Sequence, residues 1–126
     1  EAKLIMKLGK KTEIRRLARK NLQHRLRVQP KQPSAGCVFK NLEYDKLFRQ
    51  NKNLALELQA KGLVRGGKIG VGYLIDQLGL KGVRRGQAKI SETHANFIVN
   101  TGQASAADVF KLINLVKNKV KIKGLF

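Results

Sequence analysis

Several residue types are scarce in this chain. It has one cysteine, Cys37, no tryptophan, two prolines and only eight acidic side chains. A single cysteine excludes an internal disulfide and a cysteine-rich zinc site. Aromatic residues make up 6% of the chain, and they do not alternate with the basic ones as a base-stacking surface requires. No apolar run approaches the ~20 residues of a bilayer span. The stretch Glu1–Lys11 is too mixed in character for a signal peptide. With no initial methionine, the sequence is expected to be a piece of a longer polypeptide.

What is abundant is positive charge. Against the eight acids stand 27 lysines and arginines, a net charge of +19 over 126 residues. A field of that sign attracts polyanions: nucleic acid, an anionic membrane surface or a phosphorylated small molecule. The charge is clustered at Lys7–Lys20 and Lys117–Lys123 but is otherwise spread along the chain. An apolar content of 42% and a charged content of 28% are those of an ordinary globular chain, and the length suits one domain with a real core.

Periodicity orders the elements. Ala2–Leu8 alternates like an edge strand. Thr12 is placed to cap a basic helix over Glu13–Leu26, with Ile14, Leu17, Ala18 and Leu22 as its apolar stripe. A strand is expected over Cys37–Asn41. A helix is expected over Glu43–Lys61, with Leu47, Leu54 and Leu58 on one side and Gly62 as its stop. Gly62–Gly70 nearly spells a phosphate-binding loop through Gly62, Gly67 and Lys68, but Ile69 stands where a Ser or Thr must meet Mg²⁺, so the segment reads as a flexible connection. Val71–Leu78 is a short buried helix. Val83–Ser91 and Asn96–Asn100 are antiparallel strands. A final helix is capped by Ser105, with Asp108 at the capping-box position and Gly124 as its stop, and Leu125-Phe126 resembles the start of another strand. This interleaving predicts an α+β, two-layer domain, a mostly antiparallel sheet with helices packed on it.

The stretch Pro33-Ser34-Ala35-Gly36-Cys37-Val38-Phe39-Lys40-Asn41 draws attention because it puts the lone cysteine beside a turn of small residues that permits close approach. Cys37 is either a reactive group on that turn or a small buried hydrophobe.

Three ordered motifs together resemble one known family. They are Pro33–Asn41, the run from Gly72-Tyr73-Leu74-Ile75-Asp76 to Gly82, and Ala88–Gly102 with its Ser91-Glu92-Thr93-His94-Ala95-Asn96 core. All three are similar to the C-terminal domain of UDP-N-acetylenolpyruvoylglucosamine reductase, the MurB family. The resemblance implies a cytoplasmic flavoenzyme of peptidoglycan synthesis that converts UDP-N-acetylglucosamine-enolpyruvate to UDP-N-acetylmuramate, with FAD as cofactor and NADPH as co-substrate. It implies that residues 1–10 are the tail of a preceding FAD-binding domain and that residues 11–126 are the substrate-binding domain, ending before its last strand. Partners would then be the UDP-sugar substrate and the FAD-binding domains of the same chain, with no specific nucleic acid and no membrane insertion. Cys37 would be the catalytic proton donor, where many members carry serine. Asn41, Lys40, His94 and Asn96 would line the substrate, and Arg25 and Arg27 would lie near its diphosphate. Leu42 replaces the proline usual after Phe-Lys-Asn, and the family's second catalytic group, a glutamate beyond the final helix, has no counterpart here. The fragment is therefore expected to be inactive alone. The charge and the basic helix alone support a different expectation, a nucleic-acid-binding module.

Overall fold

In a computed structural model the chain is described over residues 8–122. The strand expected over Ala2–Leu8 lies almost wholly outside those residues, as do Gly124 and Leu125-Phe126. Twelve elements are described: α1 (Lys11–Val28), β1 (Ser34–Cys37), β2 (Leu42–Glu43), α2 (Tyr44–Gln50), α3 (Lys52–Ala60), β3 (Val64–Arg65), β4 (Lys68–Ile69), α4 (Val71–Gln77), β5 (Arg84–Arg85), β6 (Ala88–Ile90), β7 (Phe97–Asn100) and α5 (Ala106–Ile122).

The strands form two antiparallel sheets, one in the order β1-β7-β6-β5 and one in the order β2-β4-β3. Two cores follow. Ile90 and Ile98 from the larger sheet bury against Leu112, Val116 and Val120 of α5, with Val71 and Ile75 of α4. Leu47, Ala55, Leu58 and Ile69 of the smaller unit close around Leu74, also from α4. Helix α4 is thus the seam, with Val71 and Ile75 in one core and Leu74 in the other. This is the expected α+β architecture of helices packed on antiparallel sheets.

Local expectations were met in part. Ser105 and Asp108 form a reciprocal capping box: the Asp108 N–H donates to Ser105 Oγ at 3.2 Å, and the Ser105 N–H donates to Asp108 Oδ2 at 3.1 Å. The helix expected over Glu43–Lys61 is instead two helices. Asn51 breaks it by leaving helical geometry (φ −149°) while its side chain accepts from the Leu54 N–H at 3.1 Å, capping α3. Gly62 does stop α3, at φ 67°. The supposed flexible connection is a tight hairpin. Val64 pairs with Ile69 and Arg65 with Lys68, and Gly66 and Gly67 take the two positive-φ turn positions that only glycine fills without strain. The strand expected over Val83–Ser91 likewise folds back on itself, Arg85 pairing with Ala88 across Gly86-Gln87. Helix α1 starts at Lys11, and its N-cap, Lys10, makes no side-chain bond. Thr12 therefore sits inside the first turn and does not cap it. Among the described residues no helix is long and apolar enough to cross a membrane.

Candidate functional site

The strand expected over Cys37–Asn41 is displaced toward the N-terminus, so Cys37 ends β1. The register explains how. Ser34 pairs with Val99 and Cys37 with Phe97, so three steps on β1 oppose two on β7. The extra residue is a bulge, with Gly36 at φ 89°. A bulge re-aims the side chain that follows it, and here it leaves the Cys37 thiol exposed. Being exposed, Cys37 is not a core hydrophobe.

Beyond Cys37 the ladder stops because a side chain takes it over. Asn96 is only 3% exposed. Its Oδ1 accepts from the Phe39 N–H and its Nδ2 donates to the Phe39 carbonyl, both at 2.9 Å, while the Val38 N–H donates to its backbone carbonyl at 2.8 Å. One buried amide therefore mimics a strand partner and holds the Cys37–Phe39 backbone in place. The loop that supplies Asn96 is itself organised by buried Ser91, whose Oγ accepts from the N–H groups of Thr93 and His94 at 3.2 Å each. The ring of His94 packs on Phe97 with centroids 4.8 Å apart. The Asn96 N–H donates to His94 Nδ1 at 3.3 Å. Gly72 of α4 lets that ring sit close, since a Cβ there would stand 3.0 Å from His94 Cε1.

These parts meet in a cleft of about 460 Å³ where the two sheets and α4 converge. Cys37, Asn41, His94 and Asn96 line it, together with Arg65 and Lys68 of the β3–β4 hairpin, Tyr73 and Asp76 of α4, and Lys81. Three cations face one carboxylate. Lys81 Nζ is held by Asp76 Oδ2 at 2.7 Å, and Lys68 Nζ lies 3.5 Å from Glu43 Oε1.

Of the residues singled out from the sequence, Cys37, Asn41, His94 and Asn96 are brought together. Lys40 is not among them. It lines a separate, mainly apolar groove with Phe39, Leu42, Val71 and Val116. Arg25 and Arg27 lie on α1, which has no buried residue, and neither lines the cleft; Arg25 Nε instead donates to Gln29 Oε1 at 3.4 Å. Of the basic residues that do reach the cleft, Arg65 and Lys81 were not singled out, and Lys68 was named only in the near phosphate-binding loop that was set aside. A Gly-Gly pair between two short polar-apolar repeats is a hairpin signal and would have pointed to Arg65 and Lys68. Among the described residues no group of His, Cys, Asp and Glu could hold a metal ion.

The fold and the cleft define a small α+β domain with a cleft lined by three cations and an exposed thiol. Residues 29–124 match the family model described as UDP-N-acetylenolpyruvoylglucosamine reductase, C-terminal domain, and the chain belongs to that family. Reductases of this name from Synechococcus sp. (strain WH7803) and Chlamydia pneumoniae are 44% and 37% identical to it, over 90% and 95% of this chain. The crystal structure of UDP-N-acetylenolpyruvylglucosamine reductase (MurB) from Thermus caldophilus matches 89% of this chain and 33% of its own, at 39% identity and a TM-score of 0.64. The chain spans 29% and 32% of the lengths of the Synechococcus and Chlamydia relatives.

Proposed function

We propose that these residues form the substrate-binding part of a flavin-dependent reductase that converts UDP-N-acetylglucosamine-enolpyruvate to UDP-N-acetylmuramate. The observation that carries this reading is the exposed Cys37 thiol, aimed by the Gly36 bulge to the edge of a cleft with cationic walls. A nucleoside diphosphate sugar is anionic and elongated, and Arg65, Lys68 and Lys81 offer the donors its phosphates need. Asn41 and His94 line the same wall and supply further hydrogen-bonding groups. Cys37 hands a proton to the substrate carbon beside the one that receives hydride, and a donor in that role must be rigidly placed within hydrogen-bond reach. Asn96 does the placing.

FAD and NADPH belong to this reading through family membership. The cleft suits part of a nucleotide sugar, and the flavin is assigned to polypeptide outside these 126 residues, with residues 1–10 as the tail of the domain that holds it. Bound flavin supplies the hydride. What this chain contributes is the orientation of the substrate and the proton.

The test uses the full-length enzyme. Cys37→Ala is expected to lower turnover by at least about 100-fold, the lower end of what a positioned proton donor contributes, while NADPH still reduces the flavin. Cys37→Ser should keep measurable turnover, because a hydroxyl can hold and pass a proton at the same place. Wild-type turnover by Cys37→Ala would remove Cys37 from the mechanism. Turnover by residues 1–126 with added FAD and NADPH would overturn the assignment of the flavin to other polypeptide.

A further inference from the structure

Seven glycines of this chain take a positive φ, where the backbone itself calls for glycine. Gly72 is not one of them. It stands in the first turn of α4, a helical position that alanine suits better. The reason for a glycine there lies in the side chain it lacks. An added Cβ would stand 3.0 Å from His94 Cε1, 3.5 Å from His94 Nδ1 and 3.6 Å from Asn96 Cβ. The first distance is closer than ordinary van der Waals contact, so the ring would have to give way.

The ring is not free to do so. It packs on Phe97 with centroids 4.8 Å apart, and its Nδ1 accepts from the Asn96 N–H at 3.3 Å. The His94 backbone N–H is tied to the Oγ of buried Ser91 at 3.2 Å. The two residues that touch the ring are also the two that hold the thiol's segment. Asn96 clasps both backbone groups of Phe39, and Phe97 is the cross-strand partner of Cys37. A shift of the ring therefore reaches Cys37 by two routes.

We propose that Gly72 is a positioning residue for the Cys37 proton donor. The space it leaves seats the His94 ring against α4, and the seated ring fixes Asn96 and Phe97, which aim the thiol. This rests on the reductase reading above. The arrangement ties Cys37 to α4, and Leu74 of α4 shares a core with Val64 and Ile69 of the hairpin that carries Arg65 and Lys68. Proton donor and phosphate-binding cations are thus held on one frame, as a reaction that needs both in register on one substrate requires.

The test uses the full-length enzyme and separates its two half-reactions. Gly72→Ala is expected to slow the reoxidation of reduced flavin by the enolpyruvyl substrate at least about tenfold, since a misplacement of roughly 1 Å costs about 100-fold. Flavin reduction by NADPH and UDP affinity should hold, because the methyl group displaces none of the three cations. A glycine with only a packing role would lose stability, UDP binding and both half-reactions together, and that pattern overturns the proposal. His94→Ala supplies the second arm. With the ring gone the methyl has nothing to displace, so Gly72→Ala/His94→Ala should reoxidise flavin as fast as His94→Ala alone. A further loss in the double variant would mean that the methyl obstructs the cleft directly, and overturns the positioning role. If Gly72→Ala fails to fold, the same pair decides: a folded double variant that matches His94→Ala supports the proposal, and one that is unfolded or slower overturns it. Alkylation of Cys37 by iodoacetamide, which needs no flavin, keeps the two readings apart. A changed alkylation rate in Gly72→Ala with wild-type reoxidation overturns the reductase role of Cys37 alone. An unchanged alkylation rate overturns the positioning of the thiol by Gly72.

Discussion

Asn96 shows how much one side chain can carry. Its amide satisfies both backbone groups of Phe39 from a buried position, so replacing it with an isosteric apolar group strands two polar atoms. Asn96→Leu is expected to destabilise the full-length enzyme by roughly 1–3 kcal/mol, measured as a lowered urea midpoint. It should also change the alkylation rate of Cys37, whose backbone it steadies. Gly86 is constrained differently. It sits at φ 54°, and a Cβ there would run into the Asp108 carboxylate. Gly86→Ala is expected to cost about 1–3 kcal/mol from backbone conformation alone, and the collision would add to that by pushing Asp108 off its cap.

At the scale of elements, α5 is secured by its capping box. Hydrogen bonds from the Ser105 backbone N–H and then from the Ser105 hydroxyl hold the Asp108 carboxyl below the usual carboxylate range. The folded pKa is therefore the lower one. The contribution of Asp108 is fully present above the unfolded value of about 3.9 and is lost as pH falls through the folded value. Asp108→Asn should flatten that acid limb when stability is followed from pH 6 downward; an unchanged limb would remove Asp108 as its source. Ser105→Ala is expected to cost about 1 kcal/mol, read from the same unfolding curves. The break between α2 and α3 follows the same logic. The apolar spacing of Leu47, Leu54 and Leu58 runs straight through residue 51 and suggests one helix. A residue whose side chain caps the following helix ends the preceding one there, and hydrophobic spacing cannot register that.

At the scale of the molecule, the net charge of +19 matters less than where three of the cations stand. Arg65, Lys68 and Lys81 face the cleft, whereas Arg25 and Arg27 lie on α1 away from it. Removing a charged hydrogen bond costs roughly 1.5–3 kcal/mol. Arg65→Ala and Lys68→Ala should therefore each weaken UDP binding by the full-length enzyme by about tenfold or more, while Arg25→Ala and Arg27→Ala leave it nearly unchanged. Titration calorimetry would decide this, and the reverse ranking would return the diphosphate to α1. Helix α4 makes such placement possible. Its Leu74 and its Val71–Ile75 pair lock two separately cored sheets together, and the cleft is the gap left where they join.

The sequence by itself determined the α+β class, the short buried helix α4, the Ser105–Asp108 cap, and the two motifs that carry Cys37 with Asn41 and His94 with Asn96. All of these depend on neighbours a few residues apart or on a recognisable string, so local chemistry suffices. Only the tertiary structure decided that Cys37 ends its strand rather than begins it, because the bulge is defined by pairing with β7, 60 residues downstream. Only the tertiary structure brought Arg65, Lys68 and Lys81 to the cleft in place of Lys40, Arg25 and Arg27. A long flexible cation carries no periodic signal, and which surface it reaches is settled by how the two cores pack across α4.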